Sequence, residues 1–193
     1  MEEVLFKYMS RWTTLTVEEQ QAVIEDLVIK EYPKGTVLLR QGDVPTHCYF
    51  ILQGCVRQFA VHEDGREVTS QFYTEEQAIA VFNLHRSDQA SAYTFTCLED
   101  TVLVVGELAI EEEMYNKHTQ LANMTRRMIE ANFGQMQEAF AAFMASTPEE
   151  RFRAILHERP SLIERVPQHQ LASYLGITPE SLSRIKKRVQ HGT

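Results

Sequence analysis

Between Gln168 and Arg188 the chain gathers side chains able to hydrogen-bond nucleic acid: Gln168, Thr178, Glu180, Ser181, Ser183, Arg184, Lys186, Lys187 and Arg188. A guanidinium can grip two acceptors at once, a carboxylate can accept from an exocyclic amine, hydroxyls do either, and cations neutralise phosphate. Such chemistry needs a rigid element that turns these groups to one side. The residues between them predict one. Leu171 and Leu175 lie one helical turn apart with the small Ala172 between them, Gly176 can take φ > 0 without strain, and Ile177 plugs the corner. Thr178 suits an N-cap and Pro179 the first helical position, after which Leu182 and Ile185 face inward at i, i+3. The spacing predicts a helix-turn-helix with Glu180, Ser181, Ser183, Arg184 and Lys187 facing out. An ordinary helical hairpin is the competing reading, but the small residue, the glycine and the apolar positions all fall where the DNA-binding motif needs them.

The charge distribution agrees. The 193 residues carry a formal net charge of −8, yet residues 151–193 hold eight Lys/Arg against three Asp/Glu and residues 1–150 hold eleven against twenty-four. Only the C-terminal segment suits a polyanion, and its Leu and Ile at helical spacing argue for a folded basic surface rather than a tail. Cys48, Cys55 and Cys97 are scattered and odd in number, which argues against a disulfide framework and against a zinc or iron–sulfur site. Met1-Glu2-Glu3 lacks the positive region of a signal peptide and no apolar run approaches a membrane span, so the expected location is cytoplasmic.

These groups need a scaffold, and the pattern changes three times along the chain. Thr16-Val17-Glu18-Glu19 makes a capping box that opens a helix expected to run to Ile29, with Pro33 ending it. From Lys34 to Val105 the period falls toward two, giving strands expected at 36–39, 48–52, 56–61, 68–72, 91–97 and 101–105, with a hairpin turn at Glu63-Asp64-Gly65. Strands at that spacing imply a small barrel or roll. A long helix is then expected over 118–144. Ile129, Phe133, Met136, Phe140 and Phe143 are spaced 4, 3, 4, 3, a heptad seam, and Leu121, Met124 and Met128 continue an adjacent ridge. A helix of about 40 Å is too long to be covered by so small a roll, so homodimerisation through it is expected. Thr147, Pro148 and Glu150 restart a helix, which places a hinge near 145–147.

This order of parts resembles the cyclic-AMP receptor and fumarate–nitrate regulator (Crp/Fnr) family of bacterial transcription factors over residues 15–188. Tyr32-Pro33-Lys34-Gly35-Thr36, Gln41-Gly42-Asp43, Tyr49 to Gly54, Ala90-Ser91-Ala92 and Leu98-Glu99-Asp100 look like its strands and turns. The resemblance implies an α+β fold: an N-terminal double-stranded β-helix, that is, a cyclic-nucleotide-binding-like jelly roll, at 1–115, a dimerisation helix at 116–145, and a helical, winged-helix-like DNA-binding domain lacking most of the wing at 146–193. Glu180-Ser181-Leu182-Ser183-Arg184 has the Glu-x-x-Ser-Arg arrangement of fumarate–nitrate-type recognition helices. Arg184 would then reach guanine O6 and N7, Glu180 a cytosine amino group and Ser183 a base edge, with Lys186, Lys187, Arg188 and Gln168 on the DNA backbone. Pro179 stands where cyclic-AMP-receptor-type helices carry arginine, which by analogy implies a TTGAT-like half-site.

At the nucleotide site the chain departs from the family. Aligned on Ser91-Ala92, the phosphate-binding arginine falls on Ala90 and the glycine–glutamate pair on Ile79-Ala80, so no charge would meet a cyclic phosphate. A shifted register pairing Glu76 with Arg86-Ser87 keeps the spacing, but Asp88 follows and Glu75 replaces the glycine. Phe72, Val81, Phe82, Leu84, Ser91, Tyr93 and Phe95 are the candidate pocket residues, with plain core as the favoured alternative. Three cysteines cannot supply a four-thiolate cluster, and His47, His62 and His85 have no spacing that supports haem. No cofactor is expected, cyclic AMP is disfavoured and the effector stays open. No nucleophile–base set or paired-carboxylate set marks an enzyme, and Glu111-Glu112-Glu113 looks like a solvated helix face. The expected partners are double-stranded DNA carrying an inverted repeat, a second copy of the chain and, by the resemblance, RNA polymerase, with no membrane. The alternative is a roll-based scaffold that binds a protein and no DNA.

Overall fold

The computed structural model describes residues 2–13, 15–79 and 88–191. Two four-stranded antiparallel sheets face each other. One has the order β1-β8-β3-β6 and the other β2-β7-β4-β5, from strands β1 (Val28–Tyr32), β2 (Val37–Leu39), β3 (His47–Gln53), β4 (Val56–Val61), β5 (Glu67–Tyr73), β6 (Ala78–Ile79), β7 (Thr94–Cys97) and β8 (Thr101–Glu107). Alternation along each strand sends one set of side chains between the sheets, where Ile51, Val56, Ile79, Phe95, Cys97, Leu103 and Val105 form a closed core. Gly54 turns β3 into β4 at φ 114°. A Cβ there would stand 2.5 Å from the Thr101 hydroxyl oxygen, so only glycine fits.

The first helices differ from expectation. Helix α1 (Glu2–Trp12) had not been expected. It buries Leu5, Tyr8 and Met9 against the outer face of the first sheet, where the Tyr8 and Phe50 rings lie 4.4 Å apart. Helix α2 (Val17–Glu25) opens with the expected capping box, Glu19 N–H donating to Thr16 Oγ1 at 3.3 Å and Thr16 N–H to a Glu19 carboxylate oxygen at 2.8 Å. It stops four residues short of Ile29. Val28 and Ile29 instead begin β1, which pairs with β8 from Val28↔Val105 to Tyr32↔Thr101. Ladder pairing of a β-branched run outweighs the continuing helical spacing. The strand expected at 91–97 begins only at Thr94, because the Ser91 hydroxyl donates to Tyr93 O at 2.7 Å and accepts from Tyr93 N–H at 3.1 Å, a local turn.

After β8 a short 3₁₀ turn and α3 (Glu111–Lys117) lead into α4 (Thr119–Ala145), whose 27 residues span about 40 Å. Its first turns are tied down: His118 and Lys117 pair with Asp26 at 2.6 and 2.7 Å, and Met124 is buried in the cluster formed by α1, α2 and the first sheet. Ser146 is extended. Thr147 then caps α5 (Pro148–Glu158) with the second capping box, and α6 (Pro160–Arg165), α7 (Gln168–Leu175) and α8 (Pro179–His191) complete a helical unit. Its core is Phe152, Ile155, Leu162, Leu171, Ala172, Leu175, Leu182 and Ile185. No helix among the described residues is long and apolar enough to cross a membrane.

Candidate nucleic-acid interface

Helices α7 and α8 meet across Gly176, which sits in the left-handed region at φ 74°, ψ 30°. Gly176 N–H donates to Ser173 O at 3.1 Å and Ile177 N–H to Ala172 O at 3.0 Å, the paired bonds of a Schellman turn. The Thr178 hydroxyl accepts from Ser181 N–H at 3.3 Å and caps α8. Leu171, Ala172, Leu175 and Leu182 are completely packed, so the pair is rigid where it must present side chains.

On the opposite face Glu180, Ser183, Arg184, Lys187 and Arg188 are exposed together, with Gln168 exposed at the start of α7. Thr178 and Ser181 are part of the cap and bond each other at 3.2 Å, which places them at the edge of this face. Lys186 is half-buried, and burial lowers its pKa below the ordinary lysine value. Arg188 is paired within the chain: its Nε and Nη2 donate to Glu149 Oε2 at 3.1 and 2.8 Å, while Arg153 holds the other Glu149 oxygen at 3.0 Å. These two arginines, Arg188 first, keep the Glu149 carboxyl below the usual carboxylate range. The Glu180 carboxyl is lowered too, by its own backbone N–H, then the Thr178 hydroxyl and Arg184, and stays ionised as an acceptor.

The seam residues divide. Leu121 and Met124 belong to the core beside α1 and β8, a correction to their reading as interface, because the roll already covers this end of α4. Beyond Met128 the ridge faces outward, with Phe133, Met136 and Phe140 exposed at 55, 62 and 67%, and Ile129 and Phe143 exposed beside them. Phe143 also carries the Arg151 guanidinium 3.5 Å from its ring centroid.

The candidate pocket does not assemble as one group. Phe72, fully buried, is a correction: it faces the helical unit and not the inter-sheet space, since its neighbour Tyr73 takes the inward position on β5. Phe95 is plain core, the Ser91 hydroxyl is spent on its local turn, and Tyr93 is 37% exposed. Val81, Phe82 and Leu84 lie outside the described residues, as do Ala80, His85, Arg86 and Ser87. Cys55 and Cys97 are buried, and burial pushes the Cys55 thiol up to about 12. Sequence reasoning missed the side chains that join the helical unit to the rest. Arg151 donates to the last carbonyls of two helices, Phe143 O at 2.8 Å and Leu175 O at 3.1 Å, and Arg165 meets Glu75 and Glu99. Their partners are remote in sequence, so only basic residues inside an amphipathic pattern marked them.

Comparison with known proteins gives a consistent result. A family model for the cyclic nucleotide-binding domain matches residues 29–118. The chain is 23% identical over 192 residues to the transcriptional activator protein FnrA of Stutzerimonas stutzeri, covering 92% of this chain and 77% of that one. It is 21% identical over 189 residues to the regulatory protein HlyX of Actinobacillus pleuropneumoniae, covering 90 and 77%. Among solved structures it superposes on FixK2 of Bradyrhizobium japonicum with a TM-score of 0.71 at 17% identity, covering 86% of this chain and 85% of the other.

Proposed function

We propose that this chain, a member of the Crp/Fnr family of transcription regulators, acts in the cytoplasm as a homodimer that reads an inverted repeat in double-stranded DNA and does not respond to cyclic AMP. The observation that carries the proposal is the outer face of α8, where Glu180, Ser183, Arg184 and Lys187 are exposed together on a helix whose other face is locked by Leu182 and Ile185. A helix so presented fits the major groove, and Arg184 has the bidentate geometry that guanine rewards. The seam from Ile129 to Phe143 would bring two such faces to one side of a dimer. Residues 1–115 form the sensory part in this reading, 116–145 the dimer helix and 146–193 the DNA-binding part.

A salt titration of binding to a duplex tests it. Six cations per dimer, from Lys186, Lys187 and Arg188, predict that the logarithm of affinity falls against the logarithm of salt with a slope of about −5. Absent or salt-insensitive binding contradicts the reading.

The cyclic-nucleotide part rests on what occupies the phosphate positions. Ile79 is buried in the core between the sheets, and Ala90 offers no charge. In the shifted register Glu76 is paired with Arg11, and Glu75 is held by Arg165 and by Gly54 N–H, so neither carboxylate is free for a ribose. Calorimetric titration with cyclic AMP or cyclic GMP is expected to give no binding heat at micromolar concentration. Micromolar binding would contradict the alignment and favour the register that uses Glu76 and Arg86.

A further inference from the structure

We infer that Arg165 is a positioning residue for DNA reading, which sets the angle of the α7–α8 pair by clamping the helical unit to the outer side of β5. This rests on the DNA-binding reading above. Alternation along β5 divides its side chains between two neighbours. Tyr73 faces the interior, its ring 6.3 Å from Phe95 and its hydroxyl donating to Gln58 at 2.8 Å. Phe72 faces the helices and meets the Tyr174 ring edge-on at 5.4 Å. The backbone of β5 is engaged as well. The Ser173 hydroxyl accepts from Thr69 N–H at 2.9 Å and donates to Glu67 O at 3.3 Å, and Arg159 donates to Phe72 O at 2.8 Å. Helix α7 therefore protects the free edge of this strand.

Arg165 closes the end of that contact. Its Nη1 and Nη2 donate to the two Glu75 oxygens at 2.9 and 2.8 Å, and its Nε donates to Glu99 at 3.0 Å. Glu75 is oriented from behind by Gly54 N–H at 2.9 Å, so carboxylates from two separate loops of the roll converge on one guanidinium. Burial pushes the Glu75 carboxyl up, but the bonds from Arg165 and Gly54 outweigh it and the net shift is downward. Paired forks of this kind fix direction as well as distance, whereas the ring contact, the neutral Ser173 bonds and the single Arg159 bond along β5 fix direction less tightly. Arg165 is the last residue of α6, and only Val166 and Pro167 separate it from the start of α7 at Gln168. Holding it fixes the start of α7, and the packed Leu171, Leu175 and Leu182 carry that orientation to α8. None of these groups lies on the face proposed to touch DNA.

Two measurements on the full chain test this. In hydrogen exchange, Arg165→Ala is expected to speed exchange of the 67–73 amides about tenfold, the scale of losing a charge-assisted bond, while amides inside α8 keep their protection. Arg165→Lys should fall between, because one ammonium cannot span both carboxylates. On duplexes carrying two half-sites at varied separation, the wild type is expected to favour one separation. Arg165→Ala should lose about tenfold of that preference and keep its affinity for a single half-site. If Arg165→Ala does not fold, Glu75→Gln loosens the clamp from the other side and should give the same two changes. Unchanged exchange at 67–73, or an unchanged separation preference, overturns the proposal. A wild type that binds no DNA overturns the DNA-binding reading and with it the reading role of Arg165, while the exchange result separately decides whether the clamp exists.

Discussion

Glutamate at both Phe133 and Phe140 is expected to turn the proposed dimer into a folded monomer. The two rings are 55 and 67% exposed and lie outside the three core clusters formed by the described residues, so removing them leaves the fold intact. In a dimer each buried phenylalanine contributes about 1.5–3 kcal/mol, and two from each protomer sum to about 6–12 kcal/mol. That range corresponds to roughly four to nine orders of magnitude in dissociation constant. Four carboxylates brought together at the seam add repulsion. Loss of the second half-site contact should in turn weaken binding to a full DNA site by about 10²–10⁴. Sedimentation equilibrium reads the first effect and a binding titration the second. An unchanged dimer would place the interface elsewhere on the molecule. Leu121 and Met124 are the wrong residues for this test, because they pack α4 against the roll and changing them would also weaken the fold.

Alanine at Arg184 and alanine at Lys187 are expected to differ in kind. Arg184 is exposed on the second turn of α8, where the proposed bidentate contact to guanine would account for about 1–3 kcal/mol of discrimination. Its removal should weaken the preferred site by that amount and relax selectivity at one base pair of each half-site, with little effect on unrelated sequences. Lys187, assigned to phosphate, should weaken all sequences alike and flatten the salt slope by about one unit per half-site. Arg188 must leave Glu149 before it can serve a phosphate, which offsets part of what that contact contributes. Uniform weakening by Arg184→Ala, with selectivity intact, would remove it from the base edges.

Much of this was legible where the cause is local. The capping boxes at Thr16 and Thr147, the strand at 56–61 and the glycine turn at 176 depend on neighbours within a few residues, and each stands in the structure as read. β1 was not legible. Val28 and Ile29 continue the apolar spacing of α2, and only their ladder to β8, more than seventy residues on, makes them a strand. Phe72 looked like a pocket residue because its neighbours are aromatic. Its outward side follows from the register Arg57↔Phe72 and from a helical unit a hundred residues later, neither of which has a local signal. The clamp of Arg165 on Glu75 and Glu99 was hidden for the same reason, since its halves are 90 and 66 residues apart. The face of α8 was readable because one helix carries both its packing side and its chemical side.

The most direct test of the central claim is selection of random duplexes by the full wild-type protein, followed by sequencing of the bound fraction. Two copies of α8 related by a dimer axis predict an inverted repeat with half-site centres about 34 Å apart, one turn of the double helix. Guanine should be enriched at the position that answers Arg184 in each half. A bound pool with no inverted repeat, or no enrichment over the input, would contradict the account and leave the roll and its long helix as a scaffold for a protein partner.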